Sequence, residues 1–126
     1  MSSLETPLHR VEGLGAAHSG PKHFWRQRVT AVALIPLAIW FGVVALGLAG
    51  ANEASVLVFF SRPVNAILMA AFVCILLYHM SLGLQDVIDD YVHGSGMKIF
   101  TMLLVRAATI AVGAASLYAL ARIAIG

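Results

Sequence analysis

The chain has 126 residues, enough for one domain and too few for two independently packed cores. It is 60% hydrophobic and only 11% charged, with a mean hydropathy of +0.90, whereas soluble proteins carry about 25% charged residues; the bilayer is the expected solvent. A net charge of +2, scattered along the chain, excludes a nucleic-acid partner, and the lone Cys74 excludes an internal disulfide and any cysteine-built iron–sulfur or zinc site in this chain.

Residues 1–24 form a polar arm rich in Gly, Ser and His, with His9, His18 and His23 expected to be solvated. The arm is neither a secretory signal, since a full-length span follows its basic residues, nor an Arg-rich transit peptide, since it carries Glu5 and Glu12. Trp25, beside Arg26 and Arg28, reads as an interfacial anchor. Residues 25–126 are then expected to form a three-helix transmembrane domain.

No charge occurs from Val29 to Ala51, nor from Pro63 to Gln85. A helix needs about 20 residues at about 1.5 Å each to cross a hydrocarbon core of about 30 Å, so both runs qualify. Pro36 is tolerable in the first, because neighbouring helices can satisfy the freed carbonyl. The stretch "ANEASVLVFFSRP" between them suits a short interfacial segment. The third run, Ile99 to Ile125, holds Arg106 and Arg122 near its ends, where long stems can carry charge to the interface. The expected spans are residues 29–51, 63–88 and 99–124. Arg10, Lys22, Arg26, Arg28 and Lys98 fall on one side, which the basic-residue bias makes cytoplasmic together with the amino terminus.

The second span ends in "LLYHMSLGLQDVIDDYVHG". At about 100° per residue, Asp86 and Asp90 fall within about 20° of the His79 direction and Gly83 about 40° from it, giving one stripe roughly 16 Å long. A glycine one turn from a histidine leaves room for a flat, bulky group, and a neutral imidazole nitrogen can ligate a metal such as haem iron. The residues alone leave a plainer reading open, in which His79 bonds a neighbouring helix and the aspartates form a solvated helix end. Met80 is a packing residue or a sulfur ligand. His93, in the Gly/Ser turn, is a loop histidine or a proton relay. Arg106 either snorkels or pairs with an Asp of the second span or with a haem propionate.

His79 followed by Asp90-Tyr91 in the second of three spans resembles the D subunit of the succinate dehydrogenase (complex II) membrane anchor. "RVTAVAL", Arg28 to Leu34, resembles that family's Arg-x-Thr-Ala stretch at the entry of the first span, and the plan of arm, three spans and interfacial segment agrees from about His23 onward. The sister C subunit would carry an Arg-His pair in its haem helix and a Ser-x-x-x-Arg pattern in its first; neither occurs here.

The resemblance implies an all-α membrane anchor that packs with a C-type partner subunit into a helical bundle and docks iron–sulfur and flavoprotein subunits. It implies His79 as an axial ligand of a haem b shared with that partner, with Gly83 giving clearance. Tyr91 would be the quinone-site phenol, Asp90 its acidic neighbour, and Arg28 a residue near the haem propionates or the quinone, whether ubiquinone or another. The expected location is a bacterial inner membrane rather than a mitochondrial one. No dinucleotide-binding glycine pattern, P-loop or serine-hydrolase elbow occurs. The competing readings are a small proton- or ion-translocating protein using His79 and the Asp86/Asp90 stripe, a cofactor-free assembly subunit, and the anchor of a related fumarate reductase.

Overall fold

A computed structural model describes residues 20–126 and, apart from them, Pro7. The polar arm up to residue 19, with His9 and His18, lies outside the described residues. From Gly20 onward, four helices follow one another among the described residues: α1 (Gly20–Gly47), α2 (Glu53–Ser61), α3 (Pro63–Tyr91) and α4 (Ser95–Ile125). The three long ones are long and apolar enough to cross a membrane. The all-α, three-span architecture expected from the sequence is the one observed.

Each long helix runs past its charge-free core. α1 starts at Gly20, taking in His23, Arg26 and Arg28, and α3 continues through Asp86, Asp89 and Asp90 to Tyr91. At 28 and 29 residues they measure about 42–44 Å, which exceeds the hydrocarbon core and leaves their polar turns at headgroup depth. α1 stops at Gly47, short of the apolar run's end, and the chain turns through Gly50 at φ 80°, a conformation that favours glycine.

Local chemistry sets the next corner. Asn52 caps α2, its side chain accepting a hydrogen bond from the Ser55 amide at 2.9 Å, while Glu53 complements the positive helix end. Pro63 drives Arg62 out of the helical region (φ −73°, ψ 127°) and opens α3. The Asn65 side chain donates to the Phe59 carbonyl at 2.9 Å and so locks the α2–α3 elbow.

α3 is the centre of the structure. All four buried side chains among the described residues, Ala66, Phe72, Leu82 and Ile88, belong to it. α1 packs on one side of α3 and α4 on another, and the backbones of α1 and α4 stay more than 8 Å apart. Phe41 of α1 stacks on Phe72 with centroids 4.8 Å apart. On the other side Gly113 of α4 lies so close to α3 that a Cβ there would meet Leu77 Cδ1 at 3.4 Å, the close approach that small residues permit in membranes. Most remaining large apolar side chains, such as Val32, Ile39, Leu46 and Ile110, point outward, as befits helices whose solvent is as apolar as they are.

Candidate functional site along the seam of α1 and α3

The polar stripe of α3 meets a polar stripe of α1. His79 Nδ1 lies 2.8 Å from Thr30 Oγ1. One turn on, a Cβ at Gly83 would find Gln27 Nε2 at 3.6 Å, and next Asp86 Oδ1 meets His23 Nε2 at 2.7 Å. The positions match because the helices are antiparallel: α1 offers residues 23, 27 and 30, and α3 offers 86, 83 and 79. The His23–Asp86 contact is a close polar approach rather than an aligned hydrogen bond, and Gln27 Oε1 is buried without a partner among the described residues.

Thr30 engages His79 at Nδ1. Its hydroxyl can also donate to the Arg26 carbonyl at 2.7 Å or the Gln27 carbonyl at 3.1 Å, both in its own helix. A hydroxyl has one hydrogen and two lone pairs: when that hydrogen goes to His79 Nδ1 the ring accepts there, and when it goes to either of the two backbone carbonyls, Thr30 Oγ1 accepts from His79 Nδ1–H. In the second arrangement Nε2 carries the imidazole lone pair. Thr101, Thr109 and Ser116 also donate to carbonyls of their own helix, but Thr30 alone among them meets a side chain of another helix.

An imidazole whose Nδ1 is held and whose Nε2 is free is prepared to ligate a metal. The described residues contain no group of three His, Cys, Asp or Glu able to hold a bare metal ion. A single free nitrogen therefore suits a metal that arrives with most of its ligands in place, as haem iron does, and the residues fit that group.

The other expected residues separate from this seam. Asp90 and Tyr91 end α3; both are exposed, Tyr91 to 78%. Asp89 is tied to Lys98 at 2.8 Å across the turn into α4. His93 sits exposed in that turn. Arg28 is exposed, its guanidinium carbon 5.0 Å above the Phe24 ring one turn back. Met80 turns toward α4 into an apolar groove with Leu84 and Val105, away from the α1 seam. Arg106 forms no ion pair with an Asp of α3; with Arg26 it lines a separate cleft of about 450 Å³.

The sequence matches the family model described as succinate dehydrogenase/fumarate reductase transmembrane subunit over residues 2–113. The chain belongs to that family. It is 39% identical over 124 residues to the succinate dehydrogenase hydrophobic membrane anchor subunit of Paracoccus denitrificans, covering 96% of this chain and 93% of the relative. It is 30% identical over 111 residues to the subunit of the same name in Rickettsia bellii (strain RML369-C), covering 82% and 89%. The succinate dehydrogenase membrane anchor subunit of Reclinomonas americana is 32% identical over 91 residues, covering 70% and 76%. No solved structure matches the chain.

Membership in the succinate dehydrogenase/fumarate reductase transmembrane family bears out the resemblance read from His79, Asp90 and Tyr91. Three apolar helices make this member a multi-pass membrane protein. The sequence reading placed the stripe of α3 but missed what it faces: Thr30, Gln27 and His23. The available signal was the mirrored spacing, four then three along α1 against three then four along α3.

Proposed function

We propose that this chain is the hydrophobic membrane anchor of a succinate:quinone oxidoreductase, contributing one axial ligand to a haem b and part of a quinone-reduction site. The observation that carries the reading is the Thr30–His79 contact, which engages His79 through Nδ1 and leaves Nε2 as the nitrogen available to a metal. His79 would hold the iron, Gly83 would give the porphyrin edge clearance one turn away, and Arg28 would pair with a propionate or border the quinone. When bound, the haem would supply a one-electron redox centre.

Quinone reduction to quinol takes two electrons and two protons. The chain has no flavin or cluster motif, so the electrons arrive from a partner iron–sulfur subunit fed by a flavoprotein subunit. Tyr91 donates a hydrogen bond to a quinone carbonyl and stabilises the charge that develops there. Asp90, exposed at the same helix end, passes protons from the aqueous phase. A second membrane subunit of the C type completes the haem ligation and the bundle, because the two helices flanking α3 leave both faces of the layer open. The bias of basic residues toward the amino-terminal end supports a cytoplasmic orientation for that end, and the membrane is read as a bacterial inner membrane. The relatives named above are succinate dehydrogenase subunits, which favours succinate oxidation over fumarate reduction as the physiological direction.

The test uses the purified complex. Dithionite should develop a b-type spectrum that His79→Ala abolishes or shifts, and Tyr91→Phe should depress succinate:quinone activity while succinate oxidation by an artificial acceptor survives. Quinone reduction at the wild-type rate in Tyr91→Phe would remove the phenol from the mechanism, and an unchanged spectrum in His79→Ala would remove the ligand.

A further inference from the structure

The cleft of about 450 Å³ over α3 is not part of the His79 seam. Its upper rim carries Arg26 from α1 and Arg106 from α4, with Gln85 of α3 between them, and its lower wall is Cys74, Leu77 and Ile110. Antiparallel register sets the level. The Thr30–His79 and His23–Asp86 contacts bring Arg26 beside Gly83, and the Gly113–Leu77 contact brings Arg106 beside Leu84. Both arginines thus stand within two residues of the level of Gln85, on helices whose backbones stay more than 8 Å apart.

Neither guanidinium lies within 4.0 Å of a carboxylate among the described residues; Asp86 is held by His23, Asp89 by Lys98, and Asp90 sits at the end of α3. Two like charges at one level beside an apolar wall repel each other and lack a counter-ion. The Ser81 hydroxyl is committed to the Tyr78 carbonyl at 2.7 Å, so it offers no donor hydrogen to the cleft. Charge at the top and hydrocarbon below describe the negative of an anionic amphiphile. A neutral quinone does not answer two cations, whereas a phosphate diester does so with forked, charge-assisted hydrogen bonds.

We infer that this cleft binds one anionic phospholipid of the leaflet facing the α3–α4 turn, its phosphate bridging Arg26 and Arg106 and an acyl chain lying along Cys74, Leu77 and Ile110. The lipid joins α1 to α4, whose backbones stay more than 8 Å apart, and the volume of the cleft falls within the usual range of ligand sites, about 300–1,000 Å³. Basic pockets between membrane helices recognise anionic headgroups in this way. The inference is independent of the haem and quinone assignments.

The experiment takes the complete purified complex, exchanges its lipid, and offers equal amounts of phosphatidylglycerol and phosphatidylcholine, with retained lipid counted by native mass spectrometry. Wild type should retain phosphatidylglycerol in preference, by about fivefold for each guanidinium engaged. Arg26→Gln with Arg106→Gln should lose the preference, and Arg26→Lys with Arg106→Lys should keep most of it, all with the b-type spectrum intact. No preference in wild type would overturn the inference without any variant being needed. Loss of the b-type spectrum in Arg106→Gln with phosphatidylglycerol retained would overturn it in favour of a haem propionate. Protection of the cleft by the partner membrane subunit, seen as failure of wild type to take up either lipid, would overturn it as well.

Discussion

Thr30 has one hydroxyl hydrogen and three polar neighbours, and the way it shares them decides the chemistry of His79. Giving that hydrogen to the Arg26 or Gln27 carbonyl makes the oxygen an acceptor, which holds the imidazole in one orientation and one tautomer. Thr30→Val keeps the shape and removes the acceptor, stranding a half-buried N–H at a cost of about 1–3 kcal/mol. The expected outcome is haem affinity lower by about 10–100-fold, read as b-type absorbance per flavin during haem titration of the complex. Thr30→Ser should restore it. A Thr30→Val complex with full haem occupancy and an unshifted spectrum would show that the tautomer is set by something else. Gly83 admits a sharper separation. On its α1 side a methyl would meet Gln27 Nε2 at 3.6 Å, an ordinary contact, so Gly83→Ala should leave the helix pair intact and gain up to about 1 kcal/mol in helix propensity. If the porphyrin edge needs the same space, the b-type signal weakens while the melting temperature holds or rises. An unchanged signal would leave Gly83 with a packing role only.

At the scale of elements, the three spans were legible because charge is so costly in hydrocarbon that its absence marks the crossing. The ends were less so. His23, Arg26 and Arg28, or Asp86 and Asp90, do not stop a helix; they say only that it has reached the headgroups, and so α1 and α3 extend beyond the charge-free runs. The periodicity of α3 placed His79, Gly83 and Asp86 on one face, a local property of about 100° per residue. Which helix that face meets is a non-local fact set by the α1–α3 register, and no single helix encodes it. The same register explains how little the outermost contact contributes. The His23–Asp86 pair is half exposed on the aspartate side, 25% and 51% for the two side chains, so Asp86→Asn should cost at most about 1 kcal/mol, less at high salt. Thermal unfolding of the complex at two ionic strengths checks this. A loss well above that range would mean the aspartate is buried against a partner in the assembly.

On the scale of the whole molecule, the described chain is a thin layer of helices with α3 in the middle, and it buries only four apolar side chains. In water this would be a failed core. In a bilayer the outward Val32, Ile39 and Ile110 are already solvated by lipid, and the drive to assemble must come from packing and polar contacts instead. The groups without a protein partner therefore say where assembly happens, and Tyr91, 78% exposed at the end of α3, is the clearest. In a Cys74→Ala background, Tyr91→Cys should react with a membrane-impermeant maleimide when this chain is expressed without its iron–sulfur and flavoprotein partners. In inverted vesicles of a bacterial host the label should react, and in right-side-out spheroplasts it should not, if that end is cytoplasmic as the bias of basic residues near α1 predicts. Co-expression with the proposed iron–sulfur and flavoprotein partners should slow the reaction at least tenfold if, as proposed, those subunits dock over Tyr91. Labelling from the outside would invert the topology and with it the proton source for Asp90; labelling at the same rate in the full complex would move the docking surface away from Tyr91.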